Sequence, residues 1–370
     1  MSIPLSRREL IQTAGMAAIA APVRAAASGA EPRAQERDIP KICLPAGLGS
    51  STPGAAGDEA SARRIRQLGV DHVISGGGRI PWEADQLKET MDRLKSNGLI
   101  LGNLMIFGFN NAIYARPGRD EDVQKVIQSI YAAGKAGLPV IEYNWYAHRA
   151  MEGYFEETGR AGAGMTGFDY ERMKGLPPLP DEGGHTLGEM WANITYFLKA
   201  VIPAAEKAGV RLALHPNDPP APISRGSGQI MGTVEGWKRL ISIVDSPANG
   251  ITYDCGVTRE MGEDPVEVCR YFGSRDRINH AHFRNVRVMK PYERYTEVFI
   301  DEGEINMFAV MKELVRQKYP RLIFPEHPRG IDYDREQVNF RTQYPGGGGY
   351  AAYAFNVAYT RAMLQAALSC

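Results

Sequence analysis

The chain has 370 residues, 44% hydrophobic and 23% charged, a profile that excludes collagen, coiled coil and wholesale disorder. Lys plus Arg and Asp plus Glu number 43 each, so the formal net charge is zero. The basic excess with which a sequence-independent nucleic-acid binder releases counterions is missing, and no nucleic-acid partner is expected.

Residues 1–27 read as an export signal. Arg7 and Arg8 precede a mildly apolar run over 11–23, and Ala25, Ala26 and Ala27 offer a small-residue cleavage site. The run from Ser6 to Ile11 looks like a twin-arginine signal, so the expected location is periplasmic. Such export carries folded proteins, often with a cofactor already loaded, which hints at a bound metal. Residues 28–39 are small and polar and read as a linker. No later stretch approaches about 18 consecutive apolar residues, so no membrane span is expected in the mature chain.

From residue 40 to 370 short β-rich runs alternate with helical patterns. Strands are expected over 41–46, 72–75, 99–107, 139–145, 210–216, 250–256, 278–286 and 321–328. Helices are expected over 58–69, 81–98, 120–137, 187–209, 234–245, 264–273, 305–319 and 351–368, several ending in Gly. Two longer polar stretches, 146–185 and 287–304, read as functional loops, with the charge-rich part at 165–182 a solvated face. Strands alternating with helices imply parallel pairing through crossovers. Eight such units predict an α/β fold, a single (β/α)8 barrel over 40–370 with extended loops at its C-terminal face. The turn after the first strand, PAGLGSSTPG, is a poor match to a dinucleotide-binding fingerprint.

Barrel enzymes carry their chemistry at the C-terminal ends of the strands. Asn144, His215, Asp254 with Cys255, His282 with Arg284, and Glu326 with His327 all fall there. In strand seven His280, His282 and Arg284 share one face by period two. Imidazole, thiolate and carboxylate from neighbouring strands make a divalent-metal set. His215 and His282 read as ligands because each ends an apolar strand, whereas His280, one layer lower, reads as core. Cys255 suits either a small buried hydrophobe or a ligand. His185 reads as a solvated loop residue. The four cysteines are too few for a disulfide scaffold.

At this point the chain resembles mannonate dehydratase, a barrel enzyme of hexuronate catabolism. The resemblance is carried by LALHPNDPP (212–220), VDSPANGITYDCG (244–256), HAHFRNV (280–286), GEINM (303–307), PEHPRG (325–330) and GGY (348–350), with YNW (143–145) weaker. It implies a Mn²⁺ (or Fe²⁺) site whose ligands fall on His215, Cys255, His282 and Glu326, the family having Asp at the last position. It puts the catalytic His on His327 and the catalytic Tyr on Tyr350, with Tyr344 as rival because the loop is longer here. Arg284, suited to a bidentate grip on a carboxylate, joins them, and Asn144, Asp218 and Arg329 are substrate-facing. The implied activity is metal-dependent loss of water from D-mannonate or a related aldonate or uronate, giving 2-keto-3-deoxy-D-gluconate. The partner is then a small sugar acid, and a homo-oligomer is left open. The alternative is a sugar isomerase or epimerase on the same scaffold.

Overall fold

A computed structural model of the chain describes residues 38–48, 57–146, 151–338, 340–342 and 344–370. The export signal and the linker up to residue 37 lie outside them. In chain order the first strands are β1 (Lys41–Pro45), β2 (His72–Gly76), β3 (Ile100–Ile106) and β4 (Val140–Tyr143). Then come β5 (Tyr154–Thr158), β6 (Gly164–Asp169), β7 (Arg211–Leu214) and the short pair β8 (Ile223–Ser224) and β9 (Ser227–Gly228). The last five are β10 (Asn249–Asp254), β11 (Ile278–His282), β12 (Asn285–Lys290), β13 (Arg294–Val298) and β14 (Leu322–Phe324).

Strands β1, β2, β3, β4, β7, β10, β11 and β14 close in that order into a parallel barrel, with β14 pairing back onto β1. This is the expected (β/α)8 barrel. The helices between the strands start where the sequence supplies caps. Asp58 accepts from the Ser61 amide, and Thr186 and Glu189 form a reciprocal capping box at the helix Leu187–Ala208. That helix turns Ile194, Phe197, Leu198, Val201 and Ile202 onto the barrel wall and ends at Gly209, whose φ is 68°. Among the described residues no helix is long and apolar enough to cross a membrane.

The two polar stretches are not plain loops. Strands β5 and β6 from the first, and β12 and β13 from the second, pair as one antiparallel sheet in the order β12-β13-β6-β5. Its own small core is Tyr154, Phe168, Met173, Ala221 and Tyr295. The start of the supposed solvated face, Met165 to Phe168, is therefore buried. Backbone hydrogen bonds in both directions between Gly164 and Gly330, and from the Gly330 amide to the Gly346 carbonyl, tie the sheet to the segment after β14. Gly346 has a φ of 69°, and a Cβ there would lie 2.2 Å from the Met165 carbonyl oxygen, so only glycine fits. The sheet is thereby held against the loop that carries Glu326 to Gly330.

Candidate active site

His215 leaves β7, Asp254 and His282 end β10 and β11, and Glu326 follows β14, so adjacent strand ends deliver four polar side chains to one mouth of the barrel. His215 Nε2 lies 3.3 Å from His282 Nδ1, which lies 3.0 Å from Glu326 Oε2 and 3.8 Å from Asp254 Oδ2. All four residues are buried. The other nitrogen of each imidazole is also placed. His215 Nδ1 is 2.7 Å from the Pro216 carbonyl, a bond that makes it the protonated nitrogen and leaves the Nε2 lone pair facing the cluster. His282 Nε2 sits 3.6 Å from Glu142 Oε1. A carbonyl or carboxylate behind each imidazole is the arrangement by which proteins orient histidine ligands.

Glu142 lies in β4 inside the barrel, where Asn103 and Thr252 donate to it at 2.9 and 2.7 Å. Burial opposes its charge, but His280, His282 and His215 outweigh that and hold it below the ordinary range. Burial likewise lowers His282, yet Glu326, Glu142 and Asp254 together raise it to about 9. His280 is core as expected, although both of its ring nitrogens lack a partner, and burial lowers it to about 4.

Beside this cluster stands a second one. His327 has a φ of 46°, in the left-handed region that few residues other than glycine adopt. Its Nδ1 is 2.8 Å from Glu297 Oε2 and its Nε2 3.5 Å from Glu326 Oε2. Tyr344 covers the imidazole, ring centroids 4.1 Å apart. Asp218 completes the group, receiving the Tyr154 hydroxyl at 2.5 Å.

Several expectations change here. Arg284 does not present a free fork to a substrate. Its guanidinium lies 2.6 Å from Glu260, 3.2 Å from Asp254 and Glu326, 3.3 Å from Asp218 and 3.4 Å from Glu297, so it is the counter-ion of five buried carboxylates. Arg329 also faces protein. It donates to the His327 carbonyl at 2.8 Å, to Thr166 at 2.5 Å and to Glu297 Oε2 at 2.9 Å. Tyr350 is not brought to the cluster, because its hydroxyl donates to the Arg64 carbonyl at 2.8 Å. The named rival Tyr344 takes that place. Cys255 is at the expected strand end but outside the groups whose ligand atoms converge. Its thiol is fully buried and 3.2 Å from the Arg284 carbonyl, and burial, with Asp254 next, pushes its pKa far up. Glu326, by contrast, does reach His282. Asn144 follows β4, its Oδ1 buried without a partner and its amide 3.7 Å from the Met105 sulfur. His185 is half-buried rather than solvated, stacked on Tyr114 at 4.5 Å and bonded to Ser227.

Sequence reasoning missed Glu142, Glu260 and Glu297, and named Asp254 without giving it a role. A single acid inside the apolar run PVIEYNW was a usable signal for Glu142. Glu297 had none, because its strand read as loop.

The donor set suits a divalent cation. Two triads that share His282, Glu142–His215–His282 and Asp254–His282–Glu326, each bring imidazole and carboxylate ligand atoms within 4.8 Å of one another, a chemistry that fits such an ion.

A family model described as D-mannonate dehydratase (UxuA) matches residues 185–368. The chain is similar to the mannonate dehydratase of Streptococcus equi subsp. zooepidemicus, 28% identical over 324 residues, 79% of this chain and 87% of the relative. It is 29% identical over 319 residues to that of Thermotoga maritima, 75% of this chain and 88% of the relative. The solved mannonate dehydratase of Streptococcus suis serotype 2 superposes with a TM-score of 0.78 at 26% identity, covering 90% of this chain and 94% of that one. An L-ribulose 3-epimerase shares the fold alone, with a TM-score of 0.57 at 16% identity, covering 90% of this chain and 96% of its own. On this barrel, these strand-end residues and these relatives, the chain belongs to the mannonate dehydratase family of hydro-lyases.

Proposed function

We propose that the chain removes water from D-mannonate, or a closely related aldonate, to give 2-keto-3-deoxy-D-gluconate. The observation that carries the reading is the meeting of His215, His282 and Glu326 with the His327–Tyr344 pair at one barrel mouth. We assign the cation, Mn²⁺ (or Fe²⁺), to His215, His282 and Glu326. Cys255, next in the chain to Asp254 and with its thiol 3.2 Å from the Arg284 carbonyl, would close the set as a thiolate, since a coordinating thiol is deprotonated. Bound there, the cation supplies Lewis-acid stabilisation of the negative charge that develops beside the substrate carboxylate.

The chain's own groups do the rest. One member of the His327–Tyr344 pair takes the C2 proton, the C2–C3 double bond forms, and the C3 hydroxyl leaves as water with a proton from the other member. The resulting enol then ketonises. Arg284 and its carboxylates fix the floor of the site rather than touching substrate. Asn144 Oδ1 is a buried acceptor left for a substrate hydroxyl.

The test is incubation of the purified protein with D-mannonate, with Mn²⁺ and with a chelator, followed by assay for a 2-keto-3-deoxy acid. Product that depends on the metal is expected. Interconversion of sugar isomers without that acid moves the chain to the isomerase–epimerase reading instead.

A further inference from the structure

The working face of His327 is set from outside the barrel. Glu297 lies on β13, in the antiparallel sheet inserted across the barrel mouth, and is almost wholly buried. Its Oε2 accepts at 2.8 Å from His327 Nδ1 and at 2.9 Å from Arg329 Nη2. Arg329 is itself fixed at both ends. It donates to the His327 carbonyl at 2.8 Å and to Thr166 on β6 at 2.5 Å. Arg284 approaches the other oxygen of Glu297 at 3.4 Å. Burial opposes charge on Glu297, but His327, Arg284 and Arg329 outweigh it, so the group stays a carboxylate.

A carboxylate can only accept. Nδ1 of a neutral His327 must therefore carry the proton, and the lone pair is left on Nε2, the nitrogen directed toward Glu326. An imidazole held this way is a base at one atom, and the imidazolium it becomes is stabilised by the carboxylate behind it.

We propose that Glu297 is a positioning residue which, anchored by Arg329, fixes the Nδ1-protonated form of His327 and so makes His327 Nε2 the acceptor of the substrate's C2 proton. In that step the C2–H bond breaks and its electron pair moves toward C1. The proton passes to Nε2, and Tyr344 is left as the donor to the departing C3 hydroxyl. The inserted sheet is then part of the catalytic apparatus, because β13 and β6 supply both supports of the histidine. The inference rests on the dehydratase reading for the identity of the proton, but not for the state of the ring.

Two measurements test it in the Mn²⁺-free and Mg²⁺-loaded full chain and in the active enzyme. Nitrogen-15 spectra of labelled histidine, with His327 assigned by its loss in His327→Gln, are expected to show Nδ1 protonated. Glu297→Ala is expected to give a mixture of tautomers. In turnover, Glu297→Ala is expected to lose about 10²–10⁴ in kcat, the range of general acid–base catalysis, with KM and metal content little changed. Glu297→Gln keeps the shape, loses the charge, and is expected to lose at least about tenfold in kcat. If Glu297→Ala does not fold, Glu297→Gln decides. A wild-type kcat in that variant, or His327 protonated on Nε2 in the parent, overturns the proposal. If the parent makes no 2-keto-3-deoxy acid while its His327 is Nδ1-protonated and shifts in Glu297→Ala, the substrate reading falls and the positioning role stands.

Discussion

Tyr344 and Tyr350 flank the same glycine-rich turn and do different work. Tyr344 is buried against the His327 ring, whereas Tyr350 starts the helix Tyr350–Leu368 and spends its hydroxyl on the Arg64 carbonyl. Tyr344→Phe is expected to lower kcat by about 10²-fold or more while binding is kept, the magnitude of a lost proton donor. Tyr350→Phe is expected to keep wild-type turnover and to lose about 0.5–1.5 kcal/mol of stability, one hydrogen bond, read from urea midpoints. The reverse pattern would return the catalytic role to Tyr350. The sequence favoured Tyr350 through its GGY run, but which way a tyrosine points is decided by where the helix begins. His215, His282 and Glu326 were legible because a polar residue ending an apolar barrel strand has few places to go but the mouth. The role of Arg284 was not, since nothing in HFRNV says that five carboxylates from distant segments will surround it.

At the level of elements, the barrel strands declared themselves by apolar runs alternating with capped helices. The inserted sheet did not. Its pairs join residues far apart in sequence, such as Tyr295 with Phe168, and charged side chains interrupt each of its strands because one face meets solvent. The alternation in YFEET and RYTEV was the available signal, and it was outweighed by glycine and charge around it. Phe168 is the pivot of this sheet, fully buried, with its ring 4.8 Å from Tyr295 and 5.2 Å from Tyr154. Phe168→Ala is expected to cost on the order of 3–5 kcal/mol. The loss should appear in amide exchange as faster opening of β5, β6, β12 and β13, with the barrel strands still protected. Turnover should fall alongside, because β13 carries Glu297. Equal loss of protection in β10 and β11 would show that sheet and barrel open as one unit.

For the described molecule as a whole, the balance of buried charge is the governing quantity. Glu142, Asp218, Asp254, Glu260, Glu297 and Glu326 are buried around the mouth, against the guanidinium groups of Arg284 and Arg329. Without a cation the excess of negative charge has to be met by protons, and the rise of His282 to about 9 is one expression of it. The sign follows. A group raised on folding contributes stability that is complete below its unfolded value near 6.5 and is lost as pH climbs through about 9. The metal-free protein is therefore expected to lose thermal stability between pH 6.5 and 9. A cation that takes the place of that proton should restore it, and the rise in Tm on adding Mn²⁺ should be larger at pH 8 than at pH 6.5. At a hundredfold excess over Kd the gain is about 2.7 kcal/mol. His282→Ala should abolish the Mn²⁺-dependent rise, and Cys255→Ala should reduce it, as the loss of one ligand from a set of four. A Tm that ignores Mn²⁺ at every pH in the parent chain would mean that the carboxylates are neutralised by protons alone, and that these imidazoles do not bind an ion.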